Sequence, residues 1–177
     1  MRLTRRKKQL LLPKMPEEEG RKRADFNPLA YALRMLKSRI RTVHEVEVAL
    51  ARHGAEPEAI AKVVRELSDF GGLDDREFAR SWVRTRDRLM PRGEPILRQE
   101  LLQKGIAKDL INEVLAERKE MAKSEGTASD DDLARELLRR KERTYSNLAP
   151  DVRLRRQMAM LQRRGFSYGV IKRILDA

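Results

Sequence analysis

An apolar pattern recurs three times along this chain, each time around one glycine. Leu50, Leu101 and Leu161 stand four residues before Gly54, Gly105 and Gly165, and Ile60, Ile111 and Ile171 stand six residues after them. Val63-Val64, Val114-Leu115 and Ile174-Leu175 follow at nine and ten. The matching positions carry helical spacing, and glycine is the residue that stops one helix before another begins. One helical unit is therefore used three times. Repetition at this scale predicts an elongated stack with a long surface rather than a globule around a pocket.

The rest of the chain falls into place around the repeats. Residues 1–25 are expected to form a flexible basic arm, because Arg5-Arg6-Lys7-Lys8, Pro13, Pro16 and the block Arg21-Lys22-Arg23 offer no sustained amphipathic face. Residues 26–72 make the first three-helix repeat, 73–123 the second, and 124–177 a linker and the third. Asn27 caps a first helix with Pro28 at its first position and the stripe Leu29, Ala32, Leu33, Leu36, Ile40. Thr42 and Glu45 have the spacing of a capping box ahead of Val43, Val46, Ala49 and Leu50. Pro57 opens a third helix whose face is Ile60, Val63, Val64 and Leu67, extended to Phe70, with Gly71-Gly72 as its stop.

Asp74, with Asp75 and Glu77, caps the second unit, where Phe78, Ala79, Trp82, Val83 and Leu89 are expected to face inward. A break at Met90 to Pro95 precedes Ile96, Leu97 and Leu101, and a last stripe runs from Leu110, Ile111, Val114 and Leu115 to Met121. In the third unit Ala134, Leu137 and Leu138 begin the pattern. Leu154, Met158 and Leu161 continue it with a face offset by one position, and Ser167 caps the final helix. The repeat glycines are 51 and then 60 residues apart, a difference much of which is assigned to the connection between the first and second helices, since loops tolerate insertion.

Charge supplies a partner class. The chain has 177 residues, is 38% charged and carries a formal charge of +12, well above the ~25% charged residues of an average domain. The first 25 residues hold nine Lys/Arg against four Asp/Glu, and residues 134–177 hold twelve against four, while the middle is balanced. Such asymmetry points to a polyanion, nucleic acid first and an acidic protein surface second, against the plainer reading of a solvated basic face. The candidate contacts in the second unit are Arg84, Arg88, Arg92, Arg98 and Lys104. In the third they are Arg139, Arg140, Arg143, Arg153, Arg155, Arg156, Arg163, Arg164, Lys172 and Arg173. Arginine predominates, and its planar fork grips phosphate or carboxylate without reading a base sequence.

Catalysis finds no support. No phosphate-cradling glycine motif occurs, there is no cysteine, and His44 and His53 are isolated. The clusters Asp74-Asp75-Glu77 and Asp130-Asp131-Asp132 are weighed as a two-metal nuclease site. They lie just ahead of apolar helical stripes, where capping accounts for them. Trp82 is weighed as a base-stacking platform, but it shares the apolar stripe of Phe78 and Ala79. The expectation is a non-enzyme with no cofactor and no metal. Without a long apolar run or a signal-peptide core, it is also expected to be cytoplasmic and free of the membrane.

Three motifs carry a resemblance. Leu73-Asp74-Asp75-x-x-Phe78-Ala79-x-x-Trp82, Arg98-Gln99-Glu100-Leu101-Leu102-Gln103-Lys104-Gly105-Ile106 and Leu161-x-x-Arg164-Gly165-Phe166 are similar to motifs of the bacterial RecX family over about residues 29–176. Ala55 and Gly72 depart from the pattern, at positions where that family commonly has aromatics. The resemblance implies an all-α protein of three tandem three-helix repeats in an elongated, curved arrangement. It also implies a monomeric regulator that lies along the groove of the RecA filament on single-stranded DNA, touching RecA and DNA, double-stranded DNA included. Restraint of recombinase, ATPase and coprotease activities in DNA repair and the SOS response would follow. The rival expectation is a sequence-independent DNA-coating protein with no specific recombinase partner. The family motifs here are stripes, caps and stops, so the site residues rest on charge and helix face alone.

Overall fold

The computed structural model describes residues 26–124, 126 and 128–176, so the basic arm lies outside the described residues. These residues form helices and connections, with no strand among them. The first module holds α1 (Pro28–Ser38), α2 (Val43–Arg52) and α3 (Pro57–Asp69), and the second α4 (Asp75–Leu89), α5 (Glu94–Gln103) and α6 (Lys108–Ser124). The third holds α7 (Asp130–Arg140), a single-turn α8 (Glu142–Tyr145), α9 (Pro150–Arg163) and α10 (Tyr168–Leu175). The extra turn α8 occupies the longer first connection of that module.

Local chemistry explains most boundaries. Asn27 Oδ1 accepts from the Ala30 amide at 3.0 Å, and Asp74 Oδ1 accepts from Arg76 and Glu77 at 2.8 and 3.0 Å, satisfying amides that a helix leaves orphaned. Gly54, Gly105 and Gly165 have φ of 77°, 79° and 80°, a region that β-carbons disfavour. In each case the next residue but one past the helix cap donates its amide back to the repeat leucine: Ala55 to Leu50, Ile106 to Leu101, Phe166 to Leu161, at 3.1 to 3.2 Å. This is the Schellman geometry, and it accounts for the leucine-to-glycine spacing. All three leucines are fully buried.

Each module has its own core. One cluster gathers Ala32, Val46, Leu50, Val63, Leu67 and Leu73, the next Phe78, Val83, Leu97, Leu101, Ile111 and Val114, and the last Leu133, Leu137, Leu161, Phe166, Val170 and Ile171. Separate cores in series are what a repeat array requires.

Several expected inward residues face out instead. On α1 the buried side is Leu29, Ala32, Met35 and Leu36, so Leu33 is exposed, and Ile40 lies beyond the end of the helix. Phe70 is 83% exposed because α3 ends before it, and Leu89, Met121 and Leu154 are also exposed. Met160 takes the inward place on α9 that was expected of Leu154. The capping box at Thr42 is half made. Thr42 Oγ1 accepts from the Glu45 amide at 3.0 Å, but the Glu45 carboxylate turns to Arg39 and Lys104. A reciprocal box forms at α7, between Ser129 and Asp132.

The modules join head to tail by one repeated device. The start of a middle helix sits on the glycine stop of the next module's middle helix. Thr42 Oγ1 donates to the Lys104 carbonyl at 2.8 Å, and Gly93 N–H donates to the Arg164 carbonyl at 2.9 Å. A β-carbon on Gly105 would overlap His44, and one on Gly165 would overlap Ile96. Beside Gly54 of the first module, Phe26, Tyr31 and His53 pack together with ring centroids 4.3 to 5.6 Å apart.

Candidate polyanion-binding surface

Helix packing sorts the fifteen candidate cations into engaged and open groups. In the second module Arg84 meets Glu77 at 2.6 Å, Arg98 meets Glu94 at 3.0 Å, and Lys104 reaches Glu45 of the first module at 2.8 Å. In the third, Arg139 and Arg140 share Glu136 at 2.7 and 2.8 Å, Arg155 meets Asp151 at 2.8 Å, and Arg173 grips Asp131 with two hydrogen bonds. The two guanidiniums on Glu136 hold its carboxyl down at about 2. Exposed pairs three or four residues apart contribute little to stability, because solvent screens them. A phosphate can displace the carboxylate at little cost. Arg173 differs, because its partner sits on α7 and the pair fastens α10 to α7.

Arg88, Arg143, Arg153, Arg156, Arg163, Arg164 and Lys172 have no carboxylate partner among the described residues. Six of these lie in the third module. On α9, Arg156 and Arg163 are seven residues apart and both exposed, so they share one side of the helix with Arg153 beside them.

Folding brings second-module and third-module cations together at the junction. Arg140 Nη2 lies 3.5 Å from the Arg88 carbonyl, and Arg92 precedes the Gly93 amide that bonds to Arg164. Burial lowers the Arg164 pKa, and the positive charge of Arg92 lowers it further. Arg92 Nε and Arg164 Nη1 are buried and unbonded. The neighbouring carboxylate is Glu100, 3.7 Å from Arg92 Nε, too far for a hydrogen bond. It is already held by Arg86 at 2.7 Å and the Trp82 indole at 2.8 Å. Two arginines are thus held near one another, and the acid beside Arg92 is already occupied, an arrangement an added anion would relieve.

The acidic clusters have structural partners. Asp74 caps α4, Glu77 meets Arg84, and Asp75 Oδ1 accepts from the Val43 amide across the first junction, with burial raising its pKa. Asp130 lies 2.9 Å from Arg118, Asp131 holds Arg173, and Asp132 completes a cap. No group of three metal-ligating side chains is assembled among the described residues. Trp82 lies against Phe78 with ring centroids 5.8 Å apart, and Arg86 sits 4.3 Å over its ring. The ring is engaged internally rather than offered to a base.

Arg86, expected on the cationic surface from its place off the apolar stripe, is instead turned to Glu100 and the ring of Trp82, four residues before it. Arg118 escaped the sequence reading, since its partners Asp87 and Asp130 lie on α4 and α7. No helix among the described residues is long and apolar enough to cross a membrane.

Comparison with known proteins assigns all three modules to one family. Profiles described as the first, second and third three-helix domains of RecX match residues 29–67, 74–115 and 129–175. Regulatory protein RecX of Mycobacterium sp. (strain KMS) is 33% identical over 153 residues, covering 86% of this chain and 81% of that protein. Regulatory protein RecX of Streptomyces coelicolor is 30% identical over 163 residues, 92% of this chain and 79% of that protein. A crystal structure of RecX from Lactobacillus salivarius shares the fold at a TM-score of 0.71 and 23% identity, over 84% of this chain and 92% of that one.

Proposed function

This chain belongs to the RecX family, and from that premise we propose that it is a non-enzymatic regulator of the RecA recombinase. It lies along the filament that RecA forms on single-stranded DNA and restrains its recombinase, ATPase and coprotease activities in DNA repair and the SOS response. The observation that carries the reading is the set of third-module cations without internal partners, chiefly Arg153, Arg156, Arg163 and Lys172. Beside them, Arg92 and Arg164 supply a junction short of negative charge.

The mechanism is geometric. The unpartnered cations are concentrated on the third module, with Arg88 and Arg92 towards its junction with the second, which suits a target with repeated phosphates or acidic patches. Binding changes the activity of a filament only if one filament arrangement is bound more tightly than another. Head-to-tail junctions, one through a backbone amide and one through the Thr42 hydroxyl, give the array the stiffness to discriminate between arrangements.

The test is RecA ATPase on single-stranded DNA with increasing amounts of this protein. Inhibition at concentrations below those that coat naked DNA is expected. Inhibition that tracks naked-DNA binding at every salt concentration would instead make the protein a DNA-coating factor. On single strands, coating through Z phosphates loses affinity with a log–log slope of about −0.7Z in salt.

A further inference from the structure

The second and third modules enclose a cleft of about 390 Å³ that the cation surface does not explain. Its floor is aliphatic: Val83 of α4, Val114 of α6 and Leu133 of α7 are buried there, and Met121 stands exposed at its side. Beneath it Arg118 donates two hydrogen bonds to Asp87, at 2.9 and 3.0 Å, and lies 2.9 Å from Asp130. That triad ties α4, α6 and α7 into one preformed wall. The rim carries Arg80, Arg84 and Arg88 in succession along α4.

The rim is cationic in excess. Arg80 is engaged by Glu117 and Arg84 by the exposed Glu77, while Arg88 has no carboxylate partner among the described residues. An opening with an apolar floor and a positive rim asks for a ligand with an apolar anchor and negative flanks. A nucleobase fits it poorly, because no aromatic side chain lines the cleft to stack on it. Aliphatic walls with an adaptable methionine suit a leucine, isoleucine or phenylalanine side chain.

We infer that this cleft is a docking site for a short acidic protein segment bearing one apolar anchor residue. The anchor enters between Val83, Val114 and Leu133, and its flanking carboxylates meet Arg84 and Arg88. A protein contact on the second module is thereby distinct from the α9 cations proposed for a polyanionic strand. The inference holds whichever protein supplies the segment, so it stands or falls separately from the assignment of recombinase as partner.

The experiment is selection of random dodecapeptides on the full chain by display, followed by fluorescence anisotropy of the enriched peptide. Enrichment of Asp/Glu around one Leu, Ile, Met or Phe is expected. Replacing that anchor with Ala, or introducing Met121→Glu or Arg88→Glu into the protein, should weaken binding at least tenfold with an unchanged helical circular dichroism spectrum. Absence of enrichment, a consensus without the acidic-apolar pattern, or affinity indifferent to both protein variants overturns the inference. Full competition by a thirty-nucleotide oligo-dT would also overturn it, by giving the cleft to nucleic acid.

Discussion

Gly93 donates its amide to the carbonyl of Arg164 across 2.9 Å, with no room for a side chain between the two backbones. Gly93 is the N-cap of α5 and Arg164 the C-cap of α9. The same two cap positions meet at the other junction, where the Thr42 hydroxyl donates to the Lys104 carbonyl. One pairing of helix ends therefore links all three modules, once through a backbone amide and once through a side chain. Each repeat glycine thus ends its own helix, and two of the three also seat the preceding module.

Substitution at two glycines separates these duties. Gly105 and Gly71 both have positive φ, but a β-carbon at Gly105 would strike His44 while one at Gly71 would meet nothing within 4 Å. Gly71→Ala should cost only the backbone strain, about 1–2 kcal/mol. Gly105→Ala should cost distinctly more and loosen the first junction. Equal losses by chemical denaturation would argue against the junction.

Exposure reverses the ranking of two large residues. Leu101→Ala removes a fully buried side chain and should destabilise by about 2–5 kcal/mol. Phe70→Ser, at a position 83% exposed, should stay within about 0.5 kcal/mol of the parent. Thermal melts of both variants check the difference.

The Arg118 triad should make stability depend on pH. Burial raises the Asp87 pKa, and the charge of Asp130 raises it further, against the opposing pull of Arg118. Arg118→Met leaves two carboxylates facing each other and should cost about 3–5 kcal/mol at pH 7. A carboxyl whose folded pKa exceeds its unfolded value binds more protons when folded, so stability rises as pH falls through the folded pKa. The deficit of Arg118→Met should therefore shrink between pH 7 and about 4.5, towards the ordinary carboxylate range. Denaturation at the two pH values reads it directly, and an unchanged deficit would count against the triad.

Glu136 offers the opposite sign. Arg139 and Arg140 hold its carboxyl at about 2 rather than 4.5, so whatever stability it lends is present above pH 4.5 and is lost as pH falls towards 2. An NMR titration of the Glu136 side chain should place its midpoint near 2. Glu136→Gln should release both arginines and tighten binding of oligo-dT, with the helical spectrum retained.

Charge reversal distinguishes open from engaged cations. Arg156→Glu with Arg163→Glu should weaken oligo-dT binding and flatten its salt slope by about 0.7 for each phosphate no longer neutralised. Arg173→Glu should act through structure instead, by breaking the Asp131 pair that fastens α10 to α7. A melting temperature lowered by Arg173→Glu but not by the double reversal on α9 is the expected pattern.

The repeat, the stops and most caps were legible in the sequence because each is a bargain struck within about six residues. Leu101, Leu102, Gly105 and Ile106 carry both bonds of the Schellman turn themselves, and Asp74 caps amides two and three positions away. Apolar faces were read less well at helix ends. There Ile40, Phe70 and Leu89 continue a periodic pattern past, or to the edge of, the helix that would have buried them.

The candidate surface was legible only in outline, since a tally of arginines does not say which have partners. Folding decided that Arg173 belongs to Asp131, that Lys104 reaches back to Glu45, and that Arg92 and Arg164 meet with too little negative charge between them. These relationships join residues 42 to 72 positions apart. Helical periodicity carries no information over such distances, whereas Coulomb attraction and steric fit act only once the chain has been folded back on itself. Local pattern was enough to define the modules, and packing between helices and modules chose which charges remain for a partner.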